Sequence, residues 1–130
     1  MIQHFRVARP VSNLERSAEM YCLGLNWMRL GGFEQHEGFS GVMVGDPEGS
    51  YHLELVTCEH HPISPSPTVE DLLVFYVPDR NDWEECCERM ILVGFIEIEP
   101  FNPYWKRGGR TFQDHDGYGL VLYNSEWKLT

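Results

Sequence analysis

The sequence predicts an α+β protein of two βαβββ modules, with a mixed β-sheet curled around a central cavity and the helices on the outside. Three observations carry this expectation. Strand-like segments and capped amphipathic helices follow one another in the order strand, helix, three strands. That order occurs twice within 130 residues. A proline- and serine-rich stretch separates the two occurrences. The expected boundaries are 1–59 for the first module, 60–70 for the linker and 71–130 for the second module. All of it forms one domain, because a chain of this length suits one contiguous core.

Each element has its own signal. His4 to Pro10 reads as a strand with Phe5 and Val7 on one face and His4, Arg6 and Ala8 on the other. Ser12 or Asn13 can cap a helix through about Cys22, with Leu14, Ala18 and Tyr21 as its apolar stripe and Gly24 as its stop. Segments 26–33, 39–45 and 51–57 then read as strands, punctuated by Gly31-Gly32 and by Asp46-Pro-Glu-Gly49. In the linker, Pro62, Pro65 and Pro67 make helix or central strand improbable. Leu72 to Pro78 is a nearly continuous apolar strand. Asp79 or Asn81 opens a second helix carrying Trp83, Cys87, Met90 and Ile91, ended by Gly94. Strands follow near 95–99, 110–113 and 119–123, with Asp114-His-Asp-Gly117 as the last turn.

The two modules align on Pro10 and Pro78, on Gly24-Leu25 and Gly94-Phe95, and on Asp46-x-x-Gly49 and Asp114-x-x-Gly117. Leu53-Glu54-Leu55 then matches Leu120-Val121-Leu122. Two copies of so long a period suit a duplicated domain rather than a solenoid.

Composition excludes several classes of function. The formal net charge is −10, from 20 acidic and 10 basic residues. Such a field repels phosphate backbones, and no basic stripe offsets it, so nucleic acid is not an expected partner. No basic leader followed by an apolar run opens the sequence, and no apolar stretch is long enough for a bilayer, so no membrane partner is expected. Cys22, Cys58, Cys86 and Cys87 lack metal or redox spacing and are expected as reduced thiols in a cytoplasmic protein. A phosphate-binding glycine loop and a Ser-His-Asp motif are both missing.

The opening His4-Phe-Arg-Val-Ala-Arg-Pro-Val-Ser-Asn-Leu-Glu-Arg-Ser-Ala-Glu-Met-Tyr-Cys-Leu-Gly-Leu25 resembles that of the vicinal oxygen chelate superfamily, which includes glyoxalases, bleomycin-resistance proteins and extradiol dioxygenases. The closing Gly109-Arg-Thr-Phe-Gln-Asp-His-Asp-Gly-Tyr-Gly-Leu-Val-Leu122 resembles its last strand pair, with His115 in place of a usual proline. Asn102-Pro-Tyr-Trp105 is similar to a motif of one bacterial branch. The resemblance implies a small-molecule-binding homodimer, and it leaves the chemistry open because one scaffold hosts many reactions.

The resemblance also implies positions for a divalent metal ion. They fall on His4 and Glu54 in the first module and on Leu72 and Val121 in the second, where neither side chain can coordinate. His52, two residues before Glu54, is a candidate third ligand. The site is therefore expected to be incomplete, and a metal is a possible cofactor only. Glu54 is the candidate catalytic residue, a general base if burial raises its pKa. Its bland alternative is a carboxylate paired with Arg6. For His4 the alternative is a cavity-lining histidine bonded to its neighbours. The expected binding groups are His4, Arg6, His52 and Asn102, with Tyr76, Tyr104, Trp105 and Tyr123 as aromatic walls. The leading expectation is a small-molecule-binding protein without a complete standard metal site. The rivals are a metal-dependent lyase, isomerase or dioxygenase on His4 and Glu54, and non-catalytic sequestration of a cationic antibiotic.

Overall fold

The computed structural model describes residues 1–129. They form two compact units, one ending at Ser66 and the other starting at Pro67. In the first unit, strand β1 (Phe5–Pro10) leads to helix α1 (Leu14–Leu25), followed by β2 (Met28–His36), β3 (Phe39–Gly45) and β4 (Tyr51–Cys58). The sheet order is β1-β4-β3-β2, with β1 and β4 parallel and the other pairs antiparallel.

Asn13 caps α1 by accepting a hydrogen bond from the Arg16 amide at 3.0 Å. The helix does not stop at Gly24, as the sequence suggests. Gly24 is buried inside it, and the chain leaves the helix at Asn26, which takes the left-handed conformation at φ 58°. Asparagine tolerates that region better than most residues, so it can end a helix as glycine does. Ala18 and Tyr21 are fully buried, as are Val44 and Leu55. Burial of a leucine such as Leu55 contributes about 2 kcal/mol. Because Leu53 and Leu55 turn toward this core, the two-residue period of a strand sends His52 and Glu54 to the opposite face.

The second unit repeats the plan with β5 (Leu72–Tyr76), α2 (Arg80–Leu92), β6 (Ile96–Ile98), β7 (Gly109–Gln113) and β8 (Gly119–Tyr123), in the order β5-β8-β7-β6. Again the first and last strands pair in parallel. Asp79 caps α2 through the Asp82 amide at 2.9 Å. Its buried stripe is Trp83, Cys86, Cys87 and Met90. Ile91, expected on that stripe, is 48% exposed, because at 3.6 residues per turn the buried arc centres on Trp83 and Met90 and Ile91 falls beyond its edge. The Trp83 indole donates to the Leu122 carbonyl at 2.8 Å, tying α2 to β8. A single 3-10 turn, Pro103–Lys106, stands where the sequence suggests a plain loop. All four cysteines are free thiols. Burial pushes the Cys87 thiol up to about 11, so it packs as a small apolar side chain. No described helix is long and apolar enough to cross a membrane.

Candidate functional site

On the first unit's sheet, the face opposite α1 carries a continuous row of polar side chains. It depends on the parallel register of β1 and β4, which sets Arg6 beside His52 and Ala8 beside Glu54. With alanine at position 8, nothing bulky stands between Arg6 and Glu54. The Arg6 Nη1 donates to Glu54 Oε1 at 2.7 Å, and Arg6 Nε donates to His52 Nε2 at 2.8 Å. His52 Nδ1 and His4 Nε2 lie 2.6 Å apart. On β3, Gly45 leaves room for this row, since a Cβ there would stand 3.0 Å from the Cβ of His52.

The protons in this row follow from its chemistry. Burial first, then the neighbouring Arg6 and His4, holds His52 below its ordinary pKa, with Glu54 opposing. Neutral His52 carries one proton. Its Nε2 accepts from Arg6, so that proton sits on Nδ1 and is donated to His4 Nε2. The row therefore runs one way, from Arg6 to His52 to His4, with a second arm from Arg6 to Glu54.

This arrangement does not fit a metal. An imidazole ligates through a lone pair, and the Nε2 lone pairs of both His4 and His52 already accept hydrogen bonds. Glu54 commits one oxygen to Arg6. A guanidinium, itself a fixed cation, lies between the donors that a divalent ion would have to share. Among the described residues, no three His, Cys, Asp or Glu side chains converge as a metal-binding group. Leu72 and Val121 sit within β5 and β8 of the second unit, and Val121 is fully buried. The pairing of Glu54 with Arg6 and the bonding of His4 to a neighbour are thus the arrangements observed.

In the second unit, the four expected aromatic side chains do come together. Tyr104 and Tyr123 stack at 6.1 Å with an interplanar angle of 7°. Trp105 stands edge-on to both, at 5.1 and 6.0 Å, and Tyr76 lies 5.8 Å from Tyr123. Tyr76 and Tyr123 meet because they are paired across β5 and β8. The 3-10 turn supplies the other two. Asn102 starts it by accepting from the Tyr104 amide at 3.0 Å, so its oxygen serves the turn. Burial first, then the neighbouring Tyr104, raises the Tyr123 phenol. Arg107, which the sequence did not single out, lies over the Tyr104 ring at 5.5 Å.

Two cavities also went unread in the sequence. One of about 300 Å³ in the first unit lies between the end of β4 and Pro62–Pro65 of the linker. The other, of about 210 Å³, lies in the second unit beside β7. Each depends on strand register and loop packing, neither of which periodicity alone reveals.

Comparison with known proteins agrees with this architecture. Residues 5–56 match the YycE-like N-terminal domain family, and residues 70–124 match the YycE-like C-terminal domain family. The Bacillus subtilis (strain 168) protein YycE is 40% identical over 121 residues, which cover 93% of this chain and 87% of that protein. A crystal structure of a Bacillus subtilis YycE protein of unknown function superposes with a TM-score of 0.90 at 38% identity, over 98% of this chain and 93% of the other. Glyoxalase I of Leishmania major gives 0.72 at 18% identity, over 96% and 86% of the two chains. The fosfomycin resistance protein FosX of Mesorhizobium loti gives 0.69 at 14%, over 93% and 90%. The last two are likenesses of fold.

Proposed function

The chain belongs to the YycE-like family, within the glyoxalase and antibiotic-resistance fold, and from that premise we propose that it is a cytoplasmic small-molecule-binding protein that works without a divalent metal. The observation that supports this reading is the Arg6 guanidinium bonded to both His52 and Glu54. In this reading Arg6 is the resident cation, and Glu54 and His52 hold it in place. Its Nη2 has no partner among the described residues, and the side chain is 48% exposed, so it can donate to an oxygen of a ligand. Within the second unit, the aromatic cluster of Tyr76, Tyr104, Trp105 and Tyr123 offers a surface for an apolar ligand of its own. Arg107 already lies over Tyr104, which weighs against a cationic guest on that ring.

The test is elemental analysis of untagged protein, with a thermal-shift series in Mn, Ni, Zn, Fe(II) and Co. The parent protein is expected to carry no stoichiometric metal and to show no shift. Arg6→Ala releases the lone pair of His52 and the committed oxygen of Glu54, so that variant is expected to gain a shift in Zn. Stoichiometric metal in the parent, abolished by Glu54→Gln, would overturn the reading in favour of a metal-dependent lyase, isomerase or dioxygenase.

A further inference from the structure

The cavity beside β7 lies within the second unit and shares no residue with the Arg6 row. Leu72, Ile98, Phe101 and Gly119 supply much of its wall, which is mainly apolar. Leu72 stands at a position where the superfamily resemblance places a metal ligand, so an aliphatic side chain has made that place apolar. Two polar side chains face the same space. Thr111 and Gln113 are two residues apart on β7, hence on one face of the strand. Thr111 is 2% exposed, and its hydroxyl has no hydrogen-bond partner among the described residues. A buried hydroxyl without a partner is costly and is rare in native proteins. Rotation about χ1 toward the cavity would break no existing bond. The Gln113 amide is likewise without a partner among the described residues. By contrast, the Thr68 hydroxyl at the rim is already committed to Asp71.

Charge narrows the ligand. The only ionisable wall residue is Glu99, and it is paired with Lys106. Among the described residues, no cation lines the cavity to receive a carboxylate. Size narrows it further. An apolar cavity of about 150 Å³ admits benzene, so about 210 Å³ admits one ring with a small substituent. We propose that this cavity is a binding site for an uncharged single-ring or short-chain carboxamide, whose carbonyl and amino groups pair with Thr111 and Gln113. The ring rests on Leu72, Ile98 and Phe101.

Benzamide is the probe, with benzoate and toluene as controls, followed by amide chemical shifts on the whole chain. Benzamide is expected to bind saturably, with Kd on the order of 1 mM for so small a ligand. The shifts should be confined to residues 68–72, 98–101 and 111–119. Toluene should bind at least tenfold more weakly, and benzoate not at all. Thr111→Val keeps the shape and removes the hydroxyl, so it should weaken benzamide about tenfold while leaving the protein at least as stable. Gln113→Leu should weaken it similarly. The proposal is overturned if benzamide gives no saturable shifts, if benzoate binds equally, or if both variants bind as the parent does. A Thr111→Val protein less stable than the parent would also overturn it, since the hydroxyl would then be structural.

Discussion

At the scale of single residues, the polar row rests on what each atom has left to give. His52 illustrates this. Its pKa lies below the ordinary 6.5 because of burial, then Arg6 and His4. A histidine with a depressed folded-state pKa binds its proton more readily in the unfolded chain. Its contribution to stability is therefore complete above 6.5 and is lost as pH falls through the folded value. Urea denaturation of the parent should show stability declining as pH is lowered from 7 toward 5, with a shallower decline for His52→Gln. Equal slopes in the two proteins would mean that His52 is not held neutral by its neighbours. The placement of His4, Arg6, His52 and Glu54 on one face was legible, because alternation along a strand is a local property. That Arg6 reaches both His52 and Glu54 was not legible, because it depends on the parallel register of β1 with a strand more than forty residues away.

At the scale of elements, turns and short helices determine which side chains can meet. The segments at 39–45 and 119–123 read to the residue, since each is an apolar run bounded by glycine or aspartate turns. The end of α1 was misplaced because two residues competed for the same role, and Asn26 took the left-handed conformation while Gly24 stayed helical. The 3-10 turn was missed because Asn-Pro signals a loop and a helix start equally well. That turn is held against β7 at Gly109. A Cβ at position 109 would stand 2.7 Å from the Trp105 carbonyl oxygen and 2.9 Å from Tyr123 Cδ2. Backbone cannot yield as a flexible side chain can. Gly109→Ala is therefore expected to cost about 2 kcal/mol and to weaken the near-ultraviolet circular dichroism of the stacked tyrosines. An unchanged spectrum with unchanged stability would show that the turn is not seated as described.

At the scale of the whole molecule, the net charge of −10 acts on every association. A homodimer, proposed from the superfamily resemblance, would bring two such charges together. Repulsion between them is screened by salt, with a Debye length of about 8 Å at physiological ionic strength and about 30 Å at 0.01 M. Sedimentation equilibrium is expected to give the mass of two chains near 0.15 M salt, with a growing monomer fraction at 0.01 M. A one-chain mass at both salt concentrations would remove the dimer. The duplicated plan itself was legible through its paired turns and stops. Where the compact units divide, between Ser66 and Pro67, falls inside the linker that proline content marked out.

The parallel pairing of first and last strands has a consequence for the order in which the protein can be made. During synthesis β1 leaves the ribosome before β4, yet β4, the last strand of its unit, is its only sheet partner among the described residues. Until Tyr51–Cys58 has emerged, Phe5–Pro10 has no neighbour, whereas β2 and β3 can already form a hairpin. The N-terminal segment must wait unpaired while about forty residues are added. The same delay recurs for β5, which waits for β8. The nascent chain therefore passes twice through a stage with an open strand edge, and each closure completes one half of the molecule.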